Sequence, residues 1–160
     1  MGNVFKVLLV YEKPFWREGG HSGFAVSKVG PIRFFFESSG EEGKACLGGL
    51  VSGAHSRELS SMDPRERREK IVQQVERIYG KEKMLAYFEK DWNNDKYCIG
   101  GYNCIHKPGV LSQCGHLLAK PIGRVFLAGT EHASHAAGYM EGAILSGEKA
   151  ANDLLSLISK

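Results

Sequence analysis

The turn that anchors a dinucleotide is missing from this sequence. No G-x-G-x-x-G occurs, and the nearest glycine clusters, Gly19-Gly20-His-Ser-Gly23 and Gly48-Gly49-Leu-Val-Ser-Gly53, have the wrong spacing. No apolar run approaches the ~18 residues of a membrane span, so no membrane helix is expected. The four cysteines, Cys46, Cys98, Cys104 and Cys114, include no C-x-x-C pair, and no signal peptide precedes them. A disulfide framework is therefore not expected, and reduced thiols in a cytosolic or organellar setting are. One-sided charge is lacking too: the net charge is +3, and the densest charged run, Asp63 to Lys70, carries both signs. Without a Lys/Arg block interleaved with aromatics, a nucleic-acid surface is not expected. Cys98, Cys104, His106, Cys114 and His116, with His132 and His135 nearby in sequence, lack the short cysteine knuckle of structural zinc, so no metal is expected. A Cys/His hydrolase finds no recognisable setting either.

What is present suffices for one domain with a core, or for part of a larger protein: 160 residues, 42% hydrophobic and 24% charged. Val4 to Tyr11 reads as an apolar strand with one charge, Lys6, set into it. Pro14 to Gly20 is a turn-rich connection. Phe24 to Val29 and Ile32 to Phe36 read as strands divided by Gly30-Pro31, and Ala45 to Val51 as a strand beyond the polar turn Ser38 to Gly43. Asp63-Pro64-Arg65-Glu66 predicts a helix start, with Asp as N-cap, Pro at the first position and Glu reaching back. Ile71, Val72, Val75, Ile78 and Tyr79 supply its apolar face and Gly80 its end. Leu85 to Trp92 reads as a strand, or as a short helix plus strand. From Asn93 to Leu118 the chain reads as irregular.

The stretch from Arg124 to Leu155 is the most informative. Val125 to Ala128 is short, apolar and stopped by Gly129, which suits a strand buried on both faces in a parallel sheet. From Met140 the apolar or small positions 140, 143, 144, 147, 151, 154, 155 and 158 make a helical stripe. A strand thus feeds a Gly/Ala/Ser-rich loop and a helix whose first turn opens at Gly138. Such a helix start offers unpaired N–H groups and partial positive charge to an electron-rich ligand edge.

Ala128-Gly-Thr-Glu131 followed by Gly138-Tyr-Met-Glu-Gly-Ala143 resembles the carboxyl-terminal flavin-contact segment of the flavin-containing amine oxidases, most closely the monoamine oxidases. The resemblance extends back to Met1 through Trp92-Asn-Asn-Asp-Lys-Tyr97, Gly100-Gly101-Tyr102 and Pro108-Gly109. It maps to the carboxyl-terminal third of a complete oxidase and implies an α/β (α+β) fold class. Residues 1–90 would be part of a substrate-binding mixed sheet domain with helices. Residues 91–160 would be the carboxyl-terminal strand-helix part of an FAD-binding, Rossmann-like domain. The amino-terminal half needed for full cofactor binding would lie outside the chain.

The resemblance assigns roles residue by residue. Lys6 would hold a water beside the reactive flavin nitrogen; taken alone it reads as a lysine snorkelling from a sheet edge. Tyr102 and Tyr139 would flank the substrate amine as an aromatic cage; alone, each reads as a core tyrosine. Trp92, Gly101, Gly129, Thr130, Glu131, Gly138, Tyr139 and Met140 would contact the cofactor, Glu131 at its ribityl chain. Where monoamine oxidases bond flavin through a cysteine, this sequence has Gly101, so non-covalent FAD is expected, as in polyamine and L-amino-acid oxidases. Ala136-Ala137 replaces a commonly bulkier pair. The implied reaction takes a small-molecule amine and O2, gives an imine that water hydrolyses, and yields hydrogen peroxide. The hydrophobic tail that anchors some monoamine oxidases in the mitochondrial outer membrane has no counterpart here, so an intracellular setting, cytoplasmic or mitochondria-associated, is expected. A catalytically inactive remnant or an interaction module, or a relative of the polyamine or L-amino-acid oxidases, is the competing expectation.

Overall fold

The computed structural model describes residues 1–40, 43–118 and 120–159. They form two compact units, Met1–Gly101 and Tyr102–Lys160. The architecture is mixed α/β, with one antiparallel sheet and helices.

The first unit is built on β1 (Val4–Tyr11), whose alternation assigns its two faces. Phe5, Val7, Leu9 and Tyr11 are buried, whereas Lys6, Leu8 and Val10 on the other face are half-buried. With β2 (Ala25–Val26), β3 (Phe34–Glu37), β4 (Ala45–Ser52) and β5 (Met84–Asp91) it makes a five-stranded sheet in the order β2-β3-β4-β1-β5. Every pairing is antiparallel. The buried face packs on α1 (Phe15–Glu18), α2 (Gly53–Ser61) and α3 (Pro64–Tyr79) through Trp16, Leu59, Ile71, Val75 and Tyr79. Each large side chain so buried contributes about 1.5–3 kcal/mol.

α3 starts as the sequence predicts, with the Asp63 carboxylate accepting from the Arg65 N–H at 2.9 Å and Pro64 in the first turn. Glu66 does not reach back; it pairs with Lys70 at 3.0 Å, one turn on. Gly80, at φ +92°, closes the helix. Arg67 is buried in the core, where its guanidinium forks onto Glu89, donates to the Leu59 carbonyl at 2.7 Å and lies 4.9 Å from the Phe5 ring. The charge is thus fully paired, and it joins α2, α3 and β5.

Gln74 explains why two strands are shorter than expected. Its side chain accepts from the Ile32 N–H at 3.0 Å and donates to the carbonyls of Ile32 at 2.8 Å and Val29 at 2.7 Å. Backbone groups that a ladder would use are taken by this carboxamide, so β2 stops at Val26 and β3 begins at Phe34. α2, in a stretch without predicted structure, follows β4 directly. Beyond β5, Asn93 accepts from Val4 N–H at 3.1 Å and donates to Ser56 at 2.9 Å and Ser60 at 3.0 Å. Gly101 N–H then donates to the Gly2 carbonyl at 2.9 Å, so residues 92–101 stay with the sheet.

The second unit contains α4 (Val110–Leu118), a single 3-10 turn (Thr130–His132) and α5 (Met140–Ile158). α4 corrects the irregular reading of that stretch. Val125 to Ala128 is not a buried strand: Val125 is 59% exposed and, among the described residues, pairs only with Ile122, across a tight turn. No other strand is described in this unit to pair with it, and unpaired backbone must face water. The stripe of α5 is also exposed, at Met140, Ile144, Leu155 and Ile158 among others; Gly142 and Ser146 are buried instead. No described helix is long and apolar enough to cross a membrane.

Candidate cofactor and amine site

Lys6 sits mid-strand, opposite Leu50 of β4 and Lys90 of β5. Its Nζ lies 5.8 Å from the centroid of the Phe36 ring, a cation–π distance. That ring lies across Gly48, where a Cβ would overlap it, so glycine makes room for the aromatic floor under the lysine. Leu8, Val10, Phe34, Leu50 and Phe88 share the face by register, and no carboxylate stands among them. The nearby Cys46 thiol is pushed up by burial, an effect that the Lys6 charge partly offsets.

Trp92 and Gly101 bracket the start of the strand that carries Lys6. Trp92 N–H donates to the Val4 carbonyl at 3.2 Å, and the Lys90 ammonium lies 5.1 Å from the indole. The chain reaches Gly101 through Ile99 at φ +53° and Gly100 at φ +123°. A β-branched residue in the left-handed region is strained, by about 1–3 kcal/mol.

In the second unit Gly129, Thr130, Glu131, Gly138, Tyr139 and Met140 meet in one loop-helix corner. Thr130 Oγ accepts from Gly138 N–H and donates to the Tyr139 carbonyl at 3.1 Å, tying the loop's two ends. Gly129 (φ +141°) and Gly138 (φ +89°) take conformations that suit glycine, and a Cβ at Gly138 would press on the Asn103 carboxamide at 3.0 Å. Ala136 adopts φ +52° without that freedom, its carbonyl accepting from Tyr139 N–H at 3.1 Å and abutting Gly142. Tyr139 caps α5 with no side-chain hydrogen bond, so no side chain occupies the positive end of the helix. Glu131 lines a cavity of about 260 Å³ with Asn103, Cys104, His106 and Gly138. Both tyrosines are open, Tyr102 64% and Tyr139 73% exposed.

Ser146, Asn103 and Phe36 were not singled out by the sequence reading. Ser146 Oγ accepts from Gly129 N–H and donates toward the Gly129 and Ala143 carbonyls, each at 2.9 Å, fastening the loop to α5. Its signal was present: Gly142 and Ser146 are small residues four apart, which lets backbone approach one side of a helix. The thiols of Cys46, Cys98 and Cys114 are in no disulfide. Among the described residues no three His, Cys, Asp or Glu side chains are grouped to hold a metal ion.

Comparison with known proteins supplies the frame for this geometry. A family model described as flavin containing amine oxidoreductase matches residues 1–155. Amine oxidase [flavin-containing] B of Cavia porcellus is 34% identical over 166 aligned positions, covering 100% of this chain and 32% of its own length. Probable flavin-containing monoamine oxidase A of Dictyostelium discoideum is 35% identical, covering 96% and 34%. The solved cyclohexylamine oxidase from Brevibacterium oxydans IH-35A superposes with a TM-score of 0.93 at 29% identity, over 100% of this chain and 36% of that one. Wild-type putrescine oxidase bound to putrescine gives 0.87 at 26%, over 95% and 35%. The chain thus spans about a third of the length of the relatives it matches. An uncapped helix start, a neighbouring carboxylate and a hollow between them suit a flavin, with its electron-rich ring edge and hydroxylated side chain.

Proposed function

The chain belongs to the flavin-containing amine oxidoreductase family, and from that premise we propose that it carries the carboxyl-terminal share of an FAD-dependent, monoamine-oxidase-like amine oxidase. The observation that carries the proposal is the Gly129–Met140 corner. Glycines at positive φ, the Thr130 bridge and an open α5 N-terminus shape a receptor for an electron-rich edge.

Bound flavin supplies a two-electron acceptor that O2 reoxidises, with hydrogen peroxide as product. Tyr102 and Tyr139 are proposed to present their ring faces to the substrate nitrogen, orienting the neutral amine whose carbon loses hydrogen. Lys6 is proposed to hold the water, its ammonium kept on an apolar face by the Phe36 ring. Glu131 is proposed to accept from the ribityl hydroxyls, and Trp92, Gly101 and Met140 to border the cofactor. The amine becomes an imine, and water converts it to the carbonyl compound and ammonia. Gly101 carries no thiol, so FAD is proposed to be held without a covalent bond. Residues 1–90 are proposed as substrate-domain sequence and 91–160 as flavin-domain sequence, in an intracellular setting.

The test is a chimera that joins this chain to the upstream two-thirds of the Cavia porcellus relative. Bound FAD and peroxide release with primary amines are expected, with kcat falling about 10²-fold or more in Lys6→Met, as for loss of a group that positions a reacting partner. A folded, FAD-loaded chimera with no turnover on a broad amine panel would overturn the oxidase reading in favour of a catalytically inactive remnant.

A further inference from the structure

A cavity of about 310 Å³ lies in the Met1–Gly101 unit, away from the Lys6 face, and gathers basic side chains from three places. Lys28 comes from the loop after β2, Arg33 from just before β3, and Lys70 from α3, with His55 and Glu58 of α2 on the same wall. We propose that this cavity binds a phosphate-type oxyanion, a role separate from amine oxidation.

Arg33 Nη2 lies 2.8 Å from His55 Nε2. Because a guanidinium only donates, Nε2 accepts and the ring proton of neutral His55 sits on Nδ1, 3.6 Å from Glu58 Oε2. That bond and a 3.3 Å bond to the Ser27 carbonyl occupy two of the five guanidinium N–H groups. Lys28 makes no ion pair or hydrogen bond among the described residues. Among the described residues Lys70 pairs only with exposed Glu66 and reaches Met62 Sδ at 3.9 Å, contacts that a dianion outcompetes. Three cations therefore stand against one carboxylate in the wall. They approach from different elements, which suits a tetrahedral dianion better than a carboxylate that would neutralise one of them.

The scaffold is set in advance. Gln74, buried beneath the loop, holds Val29 and Ile32 by three hydrogen bonds. Gly30, at φ +87°, lies so close over Gln74 that a Cβ would overlap its carboxamide. Little ordering remains for a ligand to impose. The shared chemistry, a phosphate monoester, comes either from a free small molecule or from a lipid headgroup.

The test is titration of the 160-residue chain with inorganic phosphate at constant ionic strength, followed by the NMR signals of the Arg33 Nε–H and the His55 ring. A second arm uses phosphatidylcholine vesicles with and without phosphatidic acid. Saturable shifts that weaken about tenfold in Arg33→Gln and in Lys28→Gln support the site with a free ligand, tenfold being the loss of about one charge-assisted hydrogen bond. Capture by phosphatidic acid vesicles alone, lost in the same variants, supports it with a lipid source. Lys28 is exposed and unbonded, so Lys28→Gln decides the matter even if Arg33→Gln fails to fold. No saturation in either arm, or binding unchanged in both variants, overturns the proposal.

Discussion

The two units use apolar residues in opposite ways. In Met1–Gly101, Phe5, Leu9, Trp16, Ile32 and Phe35 are sealed completely, and helices close over one sheet face. In Tyr102–Lys160, Met140, Ile144, Leu155 and Ile158 stand in solvent, and among its described residues only Gly142 and Ser146 are buried. Yet the second unit holds a closely tied loop between Gly129 and Met140. Loop shape there comes from short-range chemistry, a threonine bridge and glycines at positive φ, none of which needs a core. Stability does need one. This chain covers 32% of the length of the Cavia porcellus relative.

The comparison breaks first where burial decides the outcome. Phe5→Ala should cost about 3–5 kcal/mol of unfolding free energy in urea, while Leu155→Ala on α5 should cost less than about 0.5 kcal/mol; equal costs would erase the contrast. Ser146→Ala sharpens it from the other side. It leaves the Gly129 N–H and carbonyl without their hydroxyl, at about 1–3 kcal/mol confined to the loop. Faster amide exchange at Gly129, with an unchanged midpoint for the sheet unit, is the expected reading. The smallest effect concerns acid. Burial raises the Glu37 carboxyl, but hydrogen bonds from Trp16, Arg17 and Ser39 outweigh it and hold the group below its ordinary 4.5. Its stabilisation is thus full above 4.5 and lost as pH falls through the lower folded value. Urea midpoints taken down the acid limb should fall less steeply in Glu37→Gln than in the parent.

Much of the first unit was legible because its elements close on themselves. β1 has a period of two with a single charge, and α3 opens on Asp63-Pro64 and ends on Gly80. What stayed hidden depended on partners far along the chain. The carboxamide that shortens β2 and β3 comes from Gln74, 42 positions beyond Ile32. Val125 to Ala128 has a strand's composition but no partner strand described in its own unit, so sequence pattern named an element that neighbours must supply. α4 was missed although Val110, Leu111, Cys114, Leu117 and Leu118 are helically spaced, because Gly, Cys and His obscured the stripe. At the candidate site the glycines and the helix start were readable. Ser146 was marked only by its small neighbour Gly142 one turn earlier, and Phe36 was not readable, since an aromatic on a strand is locally unremarked until the backbone it touches is in place.

Amide hydrogen exchange of the 160-residue chain, alone and within the chimera, tests the division of labour most directly. The expected result is that amides of β1 and β4 exchange only through global unfolding, while those of α5 exchange orders of magnitude faster and join the slow set when the upstream two-thirds is attached. If α5 in the isolated chain is already as protected as β1, the second unit is complete by itself and the account fails.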